Sequence, residues 1–120
     1  MGRDFRKIVA WQKADDLVVE VYQRTGSLLR GGHSDLVRQL RSAAVSVAAN
    51  LAEGSDRSSS LDFRRFLFQA QGSLSEVEYY LHLAGRLRLM DSDGLEALQG
   101  MRAEAGRTLA GLIRSLSAAR

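Results

Sequence analysis

Apolar positions are densest between Gln39 and Gly54, QLRSAAVSVAANLAEG, where no charged residue separates Arg41 from Glu53. Leu40, Ala43, Ala44, Val47, Ala48 and Leu51 recur at three- and four-residue spacing, the period of one face of an α-helix. Val37, Val45 and Ala52 widen that face beyond the stripe a surface helix needs. Asp35, Gln39, Ser42, Ser46, Asn50 and Glu53 leave only a narrow polar sector. Small side chains let neighbouring backbones approach, so this segment is predicted to be the central helix of a bundle, touched from more than one side.

The flanking segments carry the same period. Residues 1–8 read as a charged N-terminal arm anchored by Phe5 and Ile8. A first helix is predicted from about Val9 to Ser27, with Trp11, Ala14, Leu17, Val18, Val21, Tyr22 and Thr25 buried. Its Lys13, Asp16, Glu20 and Arg24 face water. Gly31-Gly32 ends that region in a turn, and Ser34 or Asp35 offers an N-cap to the second helix. The second helix runs to about Glu53, with Gly54 placed as the left-handed residue after its end.

Gly54 to Ser60, GSDRSSS, is a loop whose serines can cap a third helix from about Leu61 to Leu89. Phe63, Phe66, Leu67, Ala70, Leu74, Val77, Leu81 and Ala84 form its main stripe. Leu61, Phe68, Gly72, Tyr79 and Leu83 form a second line on the opposite side. One apolar face serves a monomer, whereas two call for a neighbour. Phe68, Gly72, Tyr79 and Leu83 are therefore the candidate subunit-interface residues. Asp91-Ser92-Asp93 caps a fourth helix, about Gly94 to Leu116, striped by Leu95, Leu98, Met101, Ala105, Leu109, Leu112 and Leu116. Gly100, Gly106 and Gly111 each cost about 1 kcal/mol against Ala in a helix interior, so this helix is expected to fray first. Arg102 lies near the stripe and must snorkel or find an acidic partner. Residues 117–120 read as a disordered tail. The whole is all-α, a single domain over 1–120 folded as an antiparallel up-and-down four-helix bundle.

Composition narrows this picture. At 120 residues one core suffices, burying roughly 65% of the unfolded surface. The absence of Cys excludes disulfides and thiolate metal sites, and the absence of Pro suits long helices. The formal charge is +3, and the imbalance lies in the first fifty residues, which hold eight basic and five acidic groups. That bias permits nucleic-acid contact without requiring it. No apolar run approaches the ~20 residues of a membrane span, and MGRDFRKIVAW lacks a secretory signal, so the expectation is a cytoplasmic protein with no membrane partner.

Candidate chemistry is sparse. A di-iron bundle needs repeated inward Glu and Glu-x-x-His pairs, and Glu78 with His82 has the wrong spacing and no second copy. Gly31-Gly32 lacks the Lys-Ser/Thr ending of a phosphate loop, and no serine sits in a nucleophile-elbow motif. No catalytic residue, metal or cofactor is expected. Asn50, Glu53 and Arg57 are read as a structural polar lock at the turn between the second and third helices, because a Glu near a helix C-terminus needs compensation. Arg38 with Arg41 and Arg64 with Arg65, together with Lys7 and Lys13, are the nucleic-acid-binding candidates, and Arg6 adds to the same basic bias. Without accompanying aromatic motifs such binding would be independent of sequence.

VAWQKADDLVVEVYQRT, QLRSAAVSVAANLAEG and FLFQAQGSLSEVEYYL together resemble the bacterial four-helix-bundle family encoded in intervening sequences of 23S ribosomal RNA. That family includes the accessory variability determinant of diversity-generating retroelements. The resemblance covers Phe5 to about Met90. It implies a protomer that assembles into a barrel-like homopentamer without known catalysis, and, for the retroelement members, contact with RNA or DNA and with a reverse transcriptase. The chain departs from the pattern at Ser42, where a second Arg is usual, and at Ala48-Ala49, where a Pro is usual. The expected function is a non-catalytic oligomeric scaffold that binds nucleic acid through basic surfaces. The alternative is an interaction module acting with a separate partner such as a reverse transcriptase.

Overall fold

Four helices carry the chain: α1 Val9–Thr25, α2 Ser34–Ser55, α3 Ser60–Arg86 and α4 Ser92–Ala118. Short 3-10 turns at Phe5–Lys7 and Gly26–Arg30 precede and follow α1. The structure, a computed structural model, describes residues 3–118; the ends of the expected arm and tail, residues 1–2 and 119–120, lie outside them. Ser117, expected in a disordered tail, is helical.

α1 and α3 each pack on both α2 and α4, and the diagonal pairs stand apart. The result is a square, antiparallel bundle measuring 48 × 20 × 19 Å. Its core draws on all four helices: Leu17 and Val21, Val47 and Leu51, Leu67 and Leu81, Leu98 and Leu109 are all fully buried. All eight residues of the main α3 stripe are buried.

Helix ends follow local chemistry. Ser59 Oγ accepts from the Asp62 amide at 3.1 Å and starts α3, while Asp91 Oδ1 accepts from the Gly94 amide at 2.7 Å at the start of α4. Gly32, at φ 86°, makes the turn before α2. The N-cap of α2 is His33, with no side-chain hydrogen bond; Ser34 is already helical, and its Oγ accepts from Arg38 instead.

Gly54 departs from expectation. It does not end α2 in a left-handed conformation but continues the helix through to Ser55, fully inside it. A Cβ there would lie 2.7 Å from Phe66 Cβ and 3.0 Å from Phe63 Cδ1. Its glycine serves close packing against α3, so the helix is spared a terminus that its sequence suggested.

Two residues assigned to buried faces stand outside. Tyr22 and Val45 are 44% and 40% exposed, at the outer edge of the α1–α2 seam and not in the core: the Arg41 guanidinium lies over the Tyr22 ring, and Val45 borders a surface hollow with Trp11 and Val18. On α4, Ile113 is buried although it lies off the seven-residue stripe.

Candidate functional site

Two surfaces stand out: a basic end and the outer faces of α2 and α3. At the basic end the arm folds back on the α2–α3 turn. The Arg3 amide donates to the Ser55 carbonyl at 3.0 Å, and Arg3 Nη1 donates to the Arg57 carbonyl at 2.9 Å. Guanidinium groups cover the aromatic rings there, Arg3 at 4.5 Å above Phe63 and both Arg57 and Arg65 at 4.6 Å from Phe66. Arg3, Arg6, Lys7, Arg57, Arg64 and Arg65 gather at this end against Asp4, Glu53, Asp56 and Asp62. An open cleft of about 960 Å³ runs between the arm and the end of α2. Arg3 does not stand out in the sequence, because only the folding back of the arm puts it, with Arg6, beside Arg57.

The six basic candidates do not make one patch. α2 and α3 run antiparallel, with Ser46 beside Ser73 and Gly54 beside Phe66. Arg38 therefore sits roughly 25 Å along the bundle from Arg64 and Arg65, at 1.5 Å per residue. Arg41 is committed inward: its Nε donates to Thr25 Oγ1 at 2.9 Å and its Nη2 to the Tyr22 carbonyl at 3.2 Å, with the guanidinium 4.3 Å over the Tyr22 ring. Thr25 is fully buried and donates in turn to the Val21 carbonyl, so Arg41 ties α2 to the end of α1. Arg65 pairs with Asp62 at 2.9 Å and Lys13 with Glu104 at 2.9 Å. The Glu104 hydrogen bond and charge hold the Lys13 ammonium above its ordinary pKa, and Lys13 likewise holds the Glu104 carboxyl below its own. Lys7 and Arg38 are exposed. Arg64 is half-buried, and its Nε and Nη1 are shielded without a hydrogen-bond partner.

The expected polar lock divides in two. Arg57 Nη2 meets Glu53 Oε2 at 2.9 Å, and its Nε lies 3.9 Å from Asp62. Asn50 belongs elsewhere: its Nδ2 donates to the carbonyl and hydroxyl of Ser46, which accepts from Ser73 Oγ at 2.8 Å. At four residues back rather than three ahead, Ser46 is the neighbour whose carbonyl points along the helix toward Asn50. Arg102, expected to need an acidic partner, reaches Glu78 at 3.8 Å and Gln99 at 2.8 Å. Among the described residues no three His, Asp or Glu side chains cluster to hold a metal ion.

On the outer side of α3, Leu61, Phe68 and Tyr79 are 64%, 50% and 56% exposed, Gly72 is exposed and Leu83 is half-buried. The outer side of α2 is recessed. A hollow of about 300 Å³ there is lined by Trp11, Asp15 and Val18 of α1 and by Val45, Ala49 and Ala52 of α2. Phe5 closes one end of it, edge-on to Trp11 at 4.8 Å between ring centres. Sequence reading placed Val45 and Ala52 on a widened core face; their spacing from Ala49 is the signal of a separate outward line.

No helix of the described residues is long and apolar enough to cross a membrane. No curated protein matches the chain. A crystal structure described as a protein of unknown function from the S23 ribosomal protein family of Bacteroides thetaiotaomicron superposes with a TM-score of 0.79 at 22% identity. The match covers 87% of this chain and 97% of that one, a likeness of fold. The model of the 23S rRNA-intervening sequence proteins matches residues 6–111, and with that span this four-helix chain belongs to the 23S rRNA-intervening sequence protein family.

Proposed function

We propose that this protein is a non-catalytic, self-assembling scaffold of the cytoplasm, a homopentamer whose basic ends bind RNA or DNA without sequence preference. The observation that carries the reading is the outer line of α3. Leu61, Phe68 and Tyr79 are exposed although the bundle core beneath them is complete, so the folding of one protomer does not use them. Large apolar side chains aligned on one helix face are the mark of a partner surface. A ring of copies would repeat the basic end several times, and each phosphate neutralised steepens the salt dependence of binding. Lys13 and Glu104, whose pKa values are displaced by one another, form an exposed ion pair on the bundle surface and not a cleft.

The test is the mass of the purified protein in solution. Sedimentation equilibrium is expected to return five times the 13.2 kDa protomer. A monomer at tens of micromolar would overturn the self-assembly reading and favour the alternative, in which α3 meets a different chain such as a reverse transcriptase.

A further inference from the structure

The exposed line on α3 needs a receiving surface, and the protomer carries one. We propose that the α3 ridge of one copy seats on the outer strip of α2 in the next. Phe68 then fills the alanine-floored hollow at Ala49 and Ala52, and Arg64 pairs with Asp56. This rests on the self-assembly reading and adds which faces meet.

Height along the bundle is the first argument. Within one protomer Ser46 is level with Ser73 and Gly54 with Phe66. Counting one α2 residue back for each α3 residue forward, Phe68 is level with Leu51, between Ala49 and Ala52, and Arg64 is level with Ser55, beside Asp56. Rotation about an axis running along the bundle preserves these heights between copies. A ring therefore brings Phe68 to the hollow with no shift in register.

Shape agrees. The ridge presents a half-exposed ring, whereas the receiving strip has Ala49 and Ala52 as its floor and Trp11 and Val18 as one wall. A Phe side chain is the kind of knob that a gap over two alanines accepts. Val45, exposed at the far end of the hollow, would be covered by the same contact.

Charge is the third argument. Arg64 makes no ion pair among the described residues; its Nε and Nη1 are covered within the protomer, which leaves Nη2 as the guanidinium nitrogen open to a neighbour. Asp56 ends α2 with an exposed side chain that makes no hydrogen bond or ion pair among the described residues, although Arg57 beside it is engaged with Glu53. One unpaired cation on the ridge and one unpaired anion on the strip, at the same height, are complementary between copies. The two surfaces differ from one another and lie on neighbouring corners of the square rather than back to back. Such a heterologous contact generates a ring when the rotation it imposes between copies closes, which is the geometry the self-assembly reading requires.

The experiment measures mass and helicity of the full chain and its variants. Phe68→Ala and Ala49→Glu are expected to give monomers with unchanged circular dichroism, since both positions are exposed in the protomer. Arg64→Glu and Asp56→Arg should each weaken assembly roughly tenfold or more, and the double swap should recover most of that loss. If the wild type assembles but Phe68→Ala and Ala49→Glu do not change its mass, the pairing of faces is wrong. If the double swap assembles no better than the single variants, the Arg64–Asp56 contact is wrong. A monomeric wild type overturns the self-assembly reading itself.

Discussion

An added methyl group at Gly54 would meet Phe66 Cβ at 2.7 Å, well inside contact distance, and that neighbour is the stem of a buried side chain rather than a flexible tip. Gly54→Ala is therefore expected to destabilise the protomer by about 1–3 kcal/mol, as overpacking does. A lower urea midpoint with an unchanged slope would report it. Lys13 and Glu104 give a pH signature. The Glu104 carboxyl is held below its ordinary value of 4.5, so its contribution is present above that value and is lost as pH falls through the depressed one. The Lys13 ammonium is held above 10.5, so its contribution is present below that value and disappears as pH rises through the elevated one. Glu104→Gln should thus lower the melting temperature slightly at neutral pH, the pair being more than a third exposed. Melting curves from pH 3 to 11 should show that gap closing at both ends of the range. Arg41 illustrates what a sequence conceals at this scale. Its charge is plain in the sequence, but its role as a tie to Thr25 depends on a helix sixteen residues earlier.

At the scale of elements, α4 holds Gly100, whose added Cβ would meet open space, whereas Gly54 on α2 is faced by the Phe63 ring and the Phe66 Cβ. The same substitution therefore has opposite signs on two helices. Gly100→Ala is expected to stabilise by about 0.5–1 kcal/mol through helix propensity and the reduced freedom of the unfolded chain, measured by thermal or urea unfolding. Helix positions were legible because a 3.6-residue period survives without knowledge of partners, and the main α3 stripe is buried throughout. Helix ends were less so. Gly54 carries the same letter whether it terminates α2 or lets Phe63 and Phe66 approach, and only the crossing of α2 with α3 distinguishes the two. The widened face of α2 was misread for a related reason: Val45 is as apolar as Val47, and its outward direction depends on where α1 packs.

For the whole molecule, the arm places Arg6 and Lys7 at the same end as Arg57, Arg64 and Arg65; Arg6 pairs only locally with Asp4 on the exposed arm, while Arg41, Arg57, Arg65 and Lys13 are tied to partners on the bundle. Replacing Arg6 and Lys7 by Ala is expected to weaken RNA and DNA binding alike and to flatten the slope of log K against log salt by about 0.9 for each duplex phosphate that is no longer neutralised. Fluorescence anisotropy at several salt concentrations measures it, and an unchanged slope would place the nucleic acid elsewhere on the surface. The sequence by itself determined the four helices, their breaks near Gly31-Gly32 and Asp91, and the presence of a surplus apolar line on α3, because periodicity and capping are local properties of the chain. The tertiary structure alone decided that the basic candidates split between two ends, that Asn50 joins Ser46 rather than Glu53, and that an alanine-floored hollow faces outward from α2. Those outcomes depend on which helix lies beside which and at what height, and residues far apart in the chain acquire those distances only when the bundle closes.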